Sequence, residues 1–144
     1  MGLDIGDKRI GMALSDPRGI LATPLTIIER SDERKSMETI ISIVNQYEIG
    51  RIIVGLPLSM DGSIGQQAEK VKTFVRELSN QINVPVEFMD ERLTTVSAKR
   101  LMQETVTRRT REKARDDAIA AALILQSYLD ERTELEAENS YGNN

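Results

Sequence analysis

The chain has 144 residues, of which 40% are hydrophobic, and 19 basic against 23 acidic residues give it a formal net charge of −4. This predicts one globular domain, and no run approaches the roughly 18 apolar residues of a membrane-spanning helix. The chain has no cysteine and no histidine, which excludes disulfides, thiolate nucleophiles, Ser-His catalysis and cysteine or histidine metal sites. Any catalysis must use carboxylates, hydroxyls, Lys, Arg or a hard metal ion such as Mg²⁺ or Mn²⁺. The expected location is the cytoplasm, with no membrane contact.

The first part of the chain predicts short antiparallel strands followed by a helix and a buried strand. Alternating apolar residues favour three strands joined by short turns. These strands span residues 3–5, 10–15 and 24–28. A helical pattern follows the candidate N-caps Ser31 and Asp32 and ends at Gly50. The continuous apolar run at 51–55 is typical of a strand buried on both faces.

The second part of the chain alternates helices with one more strand. The predicted elements are a helix at 63–82, a strand at 84–89, a short helix with Thr94 or Thr95 as N-cap, and a helix at 116–129. Pro85 suggests that the strand lies at a sheet edge. We therefore predict a single α/β domain over residues 1–130, with a five-stranded mixed sheet flanked by helices on both faces. The acidic tail at 131–144 is predicted to be disordered.

Three carboxylates occupy positions that such a fold brings to one edge. Asp4 interrupts a core strand between Leu3 and Ile5, Glu91 follows the last strand, and Asp117 lies in the first turn of the last helix. Ligands of parallel sheets bind at the carboxyl ends of the strands. We therefore expect these side chains to converge at that edge.

Each carboxylate also has a simpler structural explanation. Asp4 could satisfy the backbone of the turn at Gly6, and Glu91 could pair with Arg92. Asp117 at a helix N-terminus could contribute about 0.3–1 kcal/mol of stability. Three neighbouring carboxylates, however, repel one another unless a cation lies between them.

The combination of these three carboxylates at one edge of the sheet predicts a divalent-metal site. Asp117 shares an apolar helix face with Ala121, Ile124 and Leu125, which predicts that its carboxylate points inward. A buried carboxylate is costly unless it is paired or binds a metal. Two metal ions can stabilise the attacking water and the leaving oxygen of a phosphodiester, and this chemistry needs no histidine.

Basic residues flank the predicted site and are candidate contacts to nucleic acid. Lys8 and Arg9 follow the Asp4 strand, and Arg92 follows Glu91. A basic segment leads into Asp117 and contains Arg108, Arg109, Arg111, Lys113 and Arg115. Such residues would hold phosphates without base specificity, although a solvated surface loop is the alternative.

Four segments resemble the YqgF/RuvX family, small bacterial proteins with the RNase H-like fold of RuvC-type resolvases. The segments are LDIGDKRIGMALSD, IIVGLPLSMDGS, DERLTT and DDAIAAALILQSY. The resemblance implies an RNase H-like (RuvC-type) nuclease in which Asp4, Glu91 and Asp117 are catalytic and bind metal. The expected cofactor is Mg²⁺ or Mn²⁺, with two ions in the site.

The resemblance leaves the substrate open. It implies either processing of the 5′ end of pre-16S rRNA or Holliday junction resolution, so the expected partner is structured RNA or branched DNA. A monomer would suffice for RNA trimming, whereas a symmetric junction favours a homodimer. The alternatives are a non-catalytic nucleic-acid-binding factor and an ATP-binding module, the latter without a Walker A pattern or room for a second domain.

Overall fold

Five strands form one mixed sheet with the order β3-β2-β1-β4-β5. The strands are β1 (Gly2–Ile5), β2 (Arg9–Ser15), β3 (Ala22–Glu29), β4 (Ile52–Leu56) and β5 (Val86–Asp90). The first three pair antiparallel, and β4 joins the other side of β1 in parallel, followed by β5. The computed structural model, which describes residues 1–94, 96–105 and 116–142, thus confirms the predicted α/β fold. Pro85 precedes β5, which is an edge strand as expected.

Helices cover both faces of this sheet in the part of the chain that the structure describes. They are α1 (Glu33–Gln46), α2 (Gln66–Ser79), α3 (Val96–Thr105) and α4 (Asp116–Gly142), with a short 3₁₀ helix (Glu91–Leu93) after β5. Leu3 and Ile5 pack with α1 and α2, whereas Ile53 and Met89 pack with α3 and α4. None of the described helices is both long enough and apolar enough to cross a membrane. The candidate N-cap Thr95 lies outside the described residues.

Local hydrogen bonds explain where the first two helices begin. Asp32 caps α1 by accepting from the backbone N–H groups of Arg34 (3.0 Å) and Lys35 (3.2 Å). The second helix begins at Gln66, slightly later than expected. Ser63 instead belongs to the preceding turn, where its N–H donates to Asp61 Oδ1 at 2.9 Å.

The helix α4 packs unusually close to the centre of the sheet. A Cβ added to Gly2 would lie 2.7 Å from Ala121 O and 2.9 Å from Leu125 Cβ, so only glycine permits this approach. The buried Gln126 accepts from Ala22 N at 2.8 Å and donates to Ile20 O at 2.9 Å. These contacts fix both the depth and the rotation of α4 on the sheet.

The last helix extends to Gly142, whereas the sequence predicted a disordered tail after residue 130. Residues 131–140 are exposed and rich in strong helix formers such as Glu, Leu and Ala. A helix that is already packed on a sheet adds further residues without a new nucleation cost. An ion pair between Arg132 and Glu136 (3.4 Å) at i, i+4 spacing adds a small further stabilisation.

Candidate active site

Asp4 lies on the central strand and faces the side of the sheet that α4 covers. Side chains alternate along a strand, and Leu3 and Ile5 pack with α1 and α2 on the opposite side. Gly2, which shares the face of Asp4, contacts α4 directly. The carboxylate is half-buried and lies near the carboxyl end of β1.

Glu91 reaches the same face of the sheet from the far side of β4. It begins the 3₁₀ helix after β5, and its side chain lies over Gly55 of β4. A Cβ added to Gly55 would lie 2.7 Å from Glu91 Oε1 and would also collide with Ile124 of α4. The missing side chain at Gly55 therefore leaves the space in which the Glu91 carboxyl group approaches Asp4.

The two carboxyl groups interact in a partly desolvated position. Burial and the charge of Asp4, in that order, raise the pKa of Glu91 to about 7, with smaller contributions from a hydrogen bond with Asp4 and from the charge of Asp90. Both causes disfavour the charged form of Glu91. Two acids that are distant in sequence, one on β1 and one on the 3₁₀ helix after β5, are thus held together.

This raised pKa predicts a pH-dependent cost to the metal-free protein. The folded state holds a proton on Glu91 that the unfolded chain releases near pH 4.5, so stability falls as the pH rises from about 4.5 to 7. We expect Glu91→Gln to change stability little at pH 4.5. At pH 8 in EDTA, it should raise the free energy of unfolding by about 1–2 kcal/mol, after allowance for solvent screening.

Urea unfolding at the two pH values measures this difference. Glu77→Gln, at an exposed position of α2, is the matched control and should show no such change with pH. An equal pH dependence in the Glu91 and Glu77 variants would contradict the interaction between Glu91 and Asp4.

Arg92 pairs with Asp90. The simpler explanation of Glu91 required a pair between Glu91 and Arg92 instead. The guanidinium Nη2 of Arg92 lies 2.7 Å from Asp90 Oδ2, and its Nε donates to both carboxylate oxygens at 3.0 Å. Hydrogen bonds from Arg92 hold the pKa of Asp90 below its usual value. The Nη1 atom also donates to Met60 O at 3.2 Å, which ties the loop after β4 to the site.

The turn after Asp4 presents two of the predicted basic residues. Lys8 and Arg9 are exposed, and Gly6 N closes the turn by donating to Arg9 O at 2.9 Å. Arg30 braces this turn, because its Nη1 donates to Gly6 O at 2.6 Å while its guanidinium stacks on Phe74 at 4.9 Å from the ring centroid. The turn therefore has a fixed shape at the carboxyl end of β1.

For the third predicted carboxylate residue, Asp117, the structure describes only the backbone. Asp117 lies in the first turn of α4, one helical turn before Ala121, at the end of the helix nearest to Asp4. Its side chain is outside the described part of the structure, as are the predicted contacts Arg108, Arg109, Arg111, Lys113 and Arg115. Among the described side chains, no three acidic groups lie close enough to hold a metal ion.

Sequence reasoning missed two residues that shape the site. Gly55 interrupts an apolar strand, and a glycine there is a general sign of close approach by another group. Arg30 gives no such signal, because its partner Gly6 is distant in sequence. The pairing of Arg92 was ambiguous because Asp90 and Glu91 both precede it directly.

Comparison with known proteins identifies the family. A family model described as "RuvX: Holliday junction resolvase" matches residues 1–131. A protein of Thermoanaerobacter pseudethanolicus, named "Putative pre-16S rRNA nuclease", is 50% identical over 131 residues, covering 90% of this chain and 94% of the relative. A Roseiflexus protein of the same name is 45% identical over 130 residues, covering 90% of this chain and 92% of the relative.

Solved structures support the same fold at low sequence identity. RuvC of T. thermophilus, in complex with a Holliday junction substrate, superposes with a TM-score of 0.63 at 14% identity, covering 92% of this chain and 93% of RuvC. The fowlpox virus resolvase in complex with junction DNA gives a TM-score of 0.53 at 14% identity, covering 90% of this chain and 95% of the resolvase. The extent of the family match and the identity to its relatives show that this chain belongs to the RuvX family.

Proposed function

We propose that this chain is a metal-dependent nuclease that processes the 5′ end of pre-16S rRNA. The observation that carries the proposal is the approach of Glu91 to Asp4 across the side-chain-free position Gly55. When both carboxyl groups are ionised in this partly buried position they repel each other, and this arrangement costs stability without a compensating cation. A site of this kind is expected where catalysis needs a concentrated negative charge.

The donor set fits a hard divalent cation. Carboxylate oxygens are the ligands that Mg²⁺ and Mn²⁺ prefer, and the chain contains no softer cysteine or histidine ligand. Asp4 and Glu91 would hold the metal, with Asp117 of α4 as the proposed third ligand. When bound, two such ions would supply Lewis-acid stabilisation of the attacking and leaving oxygens of the phosphodiester.

The other residues of the site would bind and orient the substrate. Lys8 and Arg9 project from a braced turn beside Asp4, where they can contact phosphates. Arg92 is fixed by Asp90, so its main role in our proposal is to hold the loop at Met60 beside the site. The basic residues at 108–115 remain predicted phosphate contacts.

RNA is the favoured substrate because the relatives with the higher identities are named as pre-16S rRNA nucleases. Holliday junction resolution is the second candidate, and the description of the family model supports it. Resolution of a symmetric junction would require two active sites and hence a homodimer, whereas trimming of an RNA end needs one. Competition between unlabelled RNA and a four-way DNA junction for cleavage of labelled RNA would separate the two candidates.

Removal of metal is the direct test of the proposed chemistry. We expect cleavage of an RNA with a 5′ extension of the small-subunit rRNA to fall to background in EDTA. Added Mg²⁺ or Mn²⁺ should restore it in the same sample. Cleavage that persists in EDTA would contradict the metal mechanism.

Two further results would favour the other hypotheses. Tight RNA binding without cleavage under any metal condition would indicate a non-catalytic binding factor. A rise in melting temperature with ATP, without a similar rise with metal and RNA, would favour an ATP-binding module.

A further inference from the structure

A long groove with both apolar and charged side chains in its walls runs beside residues 127–135 of α4. Two cavities, of about 530 and 850 Å³, share Met89, Leu93 and Glu131 as lining residues and so form one continuous groove. Its walls are β5, the 3₁₀ helix and α3 on one side and residues 127–135 of α4 on the other. We call this the α3–α4 groove.

The α3–α4 groove gathers side chains that proteins usually bury. Eight large hydrophobic residues are exposed in the described part of the chain, and three of them present their side chains to this groove. They are Ile20 (61% exposed), Leu93 (58%) and Leu135 (54%). Single exposed hydrophobic residues are normal, but a contiguous group of this kind marks an interaction site.

The groove carries a surplus of negative charge. Glu87 is paired with Arg51 at 2.8 Å, and Arg132 with Glu136 at 3.4 Å. Glu131 and Glu134 also line the groove, and neither has an ion pair among the described residues. An acidic rim repels nucleic acid and attracts a basic partner.

We propose that the α3–α4 groove binds a basic amphipathic helix of a partner protein. The apolar stripe of such a helix would cover Leu93 and Leu135, while its Lys or Arg residues would face Glu131 and Glu134. The α4 wall is about 12 Å long at 1.5 Å per residue, which matches roughly two turns of a bound helix. This is the helix-in-groove mode of recognition, with apolar anchors spaced along one helix face.

A synthetic peptide tests the proposal without knowledge of the natural partner. The probe is a fluorescent helix of about 18 residues, five turns long, built from leucine and lysine with one apolar stripe. A second peptide has the same composition but no stripe. Anisotropy titrations with the full chain should give a Kd for the striped peptide that is about tenfold lower than the Kd for the second peptide. This ratio corresponds to a difference of about 1.4 kcal/mol in binding free energy.

Matched variants locate the binding surface. Leu135→Asp and the double variant Glu131→Lys/Glu134→Lys should each raise the Kd about tenfold, or about 1.4 kcal/mol. Glu77→Lys/Glu138→Lys makes the same charge change at two exposed positions outside the groove, and it should leave the Kd nearly unchanged. Circular dichroism checks that each variant is folded, and Leu135→Ser is the milder substitute if the aspartate lowers the helix content.

Several results would overturn the proposal. Equal binding of the two peptides, or equal weakening by the two double variants, would mean that only net charge attracts the peptide. Displacement of the peptide by structured RNA would assign the groove to the nucleic-acid surface. A dimer in sedimentation that Leu135→Asp converts to a monomer would identify a second copy of this chain as the occupant.

Discussion

Replacing Asp4 by asparagine is expected to reduce cleavage about 10³-fold. Metal ions contribute several kcal/mol to transition-state stabilisation, and each 1.36 kcal/mol corresponds to a factor of ten in rate. Asparagine keeps the shape of the side chain but removes the charge that would hold the cation. The fold should survive, because the substitution also removes the repulsion between Asp4 and Glu91.

Single-turnover cleavage with saturating Mg²⁺ measures this loss, and urea unfolding in EDTA measures stability. Asp7→Asn is the matched control, because Asp7 lies three residues further on in an exposed ion pair with Lys70 at 3.6 Å. Such a pair contributes at most about 1 kcal/mol to stability. If the Asp4 variant cleaves as fast as wild type, Asp4 is not part of the catalytic site.

The second large effect is expected for Gly55→Ala. The new methyl group would lie 2.7 Å from Glu91 Oε1 and would press on Ile124, so the Glu91 carboxyl group must move away. A displacement of about 1 Å at a catalytic group can reduce the rate about 10²-fold. The stability cost should be smaller, about 1–3 kcal/mol, because both colliding atoms are the ends of flexible side chains.

Activity and stability measured on the same preparation separate the two effects. Gly50→Ala serves as control, since a Cβ there would meet no atom within 4 Å. It should leave the rate unchanged. A Gly55 variant that loses stability but keeps the wild-type rate would show that the position of Glu91 does not matter for catalysis.

The sequence predicted the fold and the two described carboxylates for a simple reason. Strand alternation and helical spacing are local patterns, and they identify β1 and its interrupting Asp4 without tertiary information. The position of Glu91 directly after the last strand follows from the same patterns. Their convergence follows from the rule that ligands bind at the carboxyl ends of parallel strands.

Local patterns of this kind could not predict the long-range contacts. The role of Gly55 depends on the register of β4 against both neighbours and on the depth of Ile124. Arg92 follows two acids, Asp90 and Glu91, and the sequence allows an ion pair with either. Only the geometry of the 3₁₀ helix favours Asp90. The bracing of the Gly6 turn by Arg30 joins residues 24 positions apart.

The last helix shows where composition misleads. The acidic residues after position 130 predicted disorder because they cannot form a core of their own. That argument treats the segment as isolated, whereas it continues from residues such as Leu125 and Leu129, which are buried against the sheet. Propagation from an existing helix requires no core.

The strand order also determines how the active site would be lost on heating. Asp4 belongs to β1, which is hydrogen-bonded on both sides, whereas Glu91 follows β5, which pairs with β4 alone among the described strands. Edge strands open locally with less free energy than central strands. Detachment of β5 alone would remove one carboxylate and leave the rest of the sheet intact. Thermal inactivation should therefore begin below the temperature at which the domain melts.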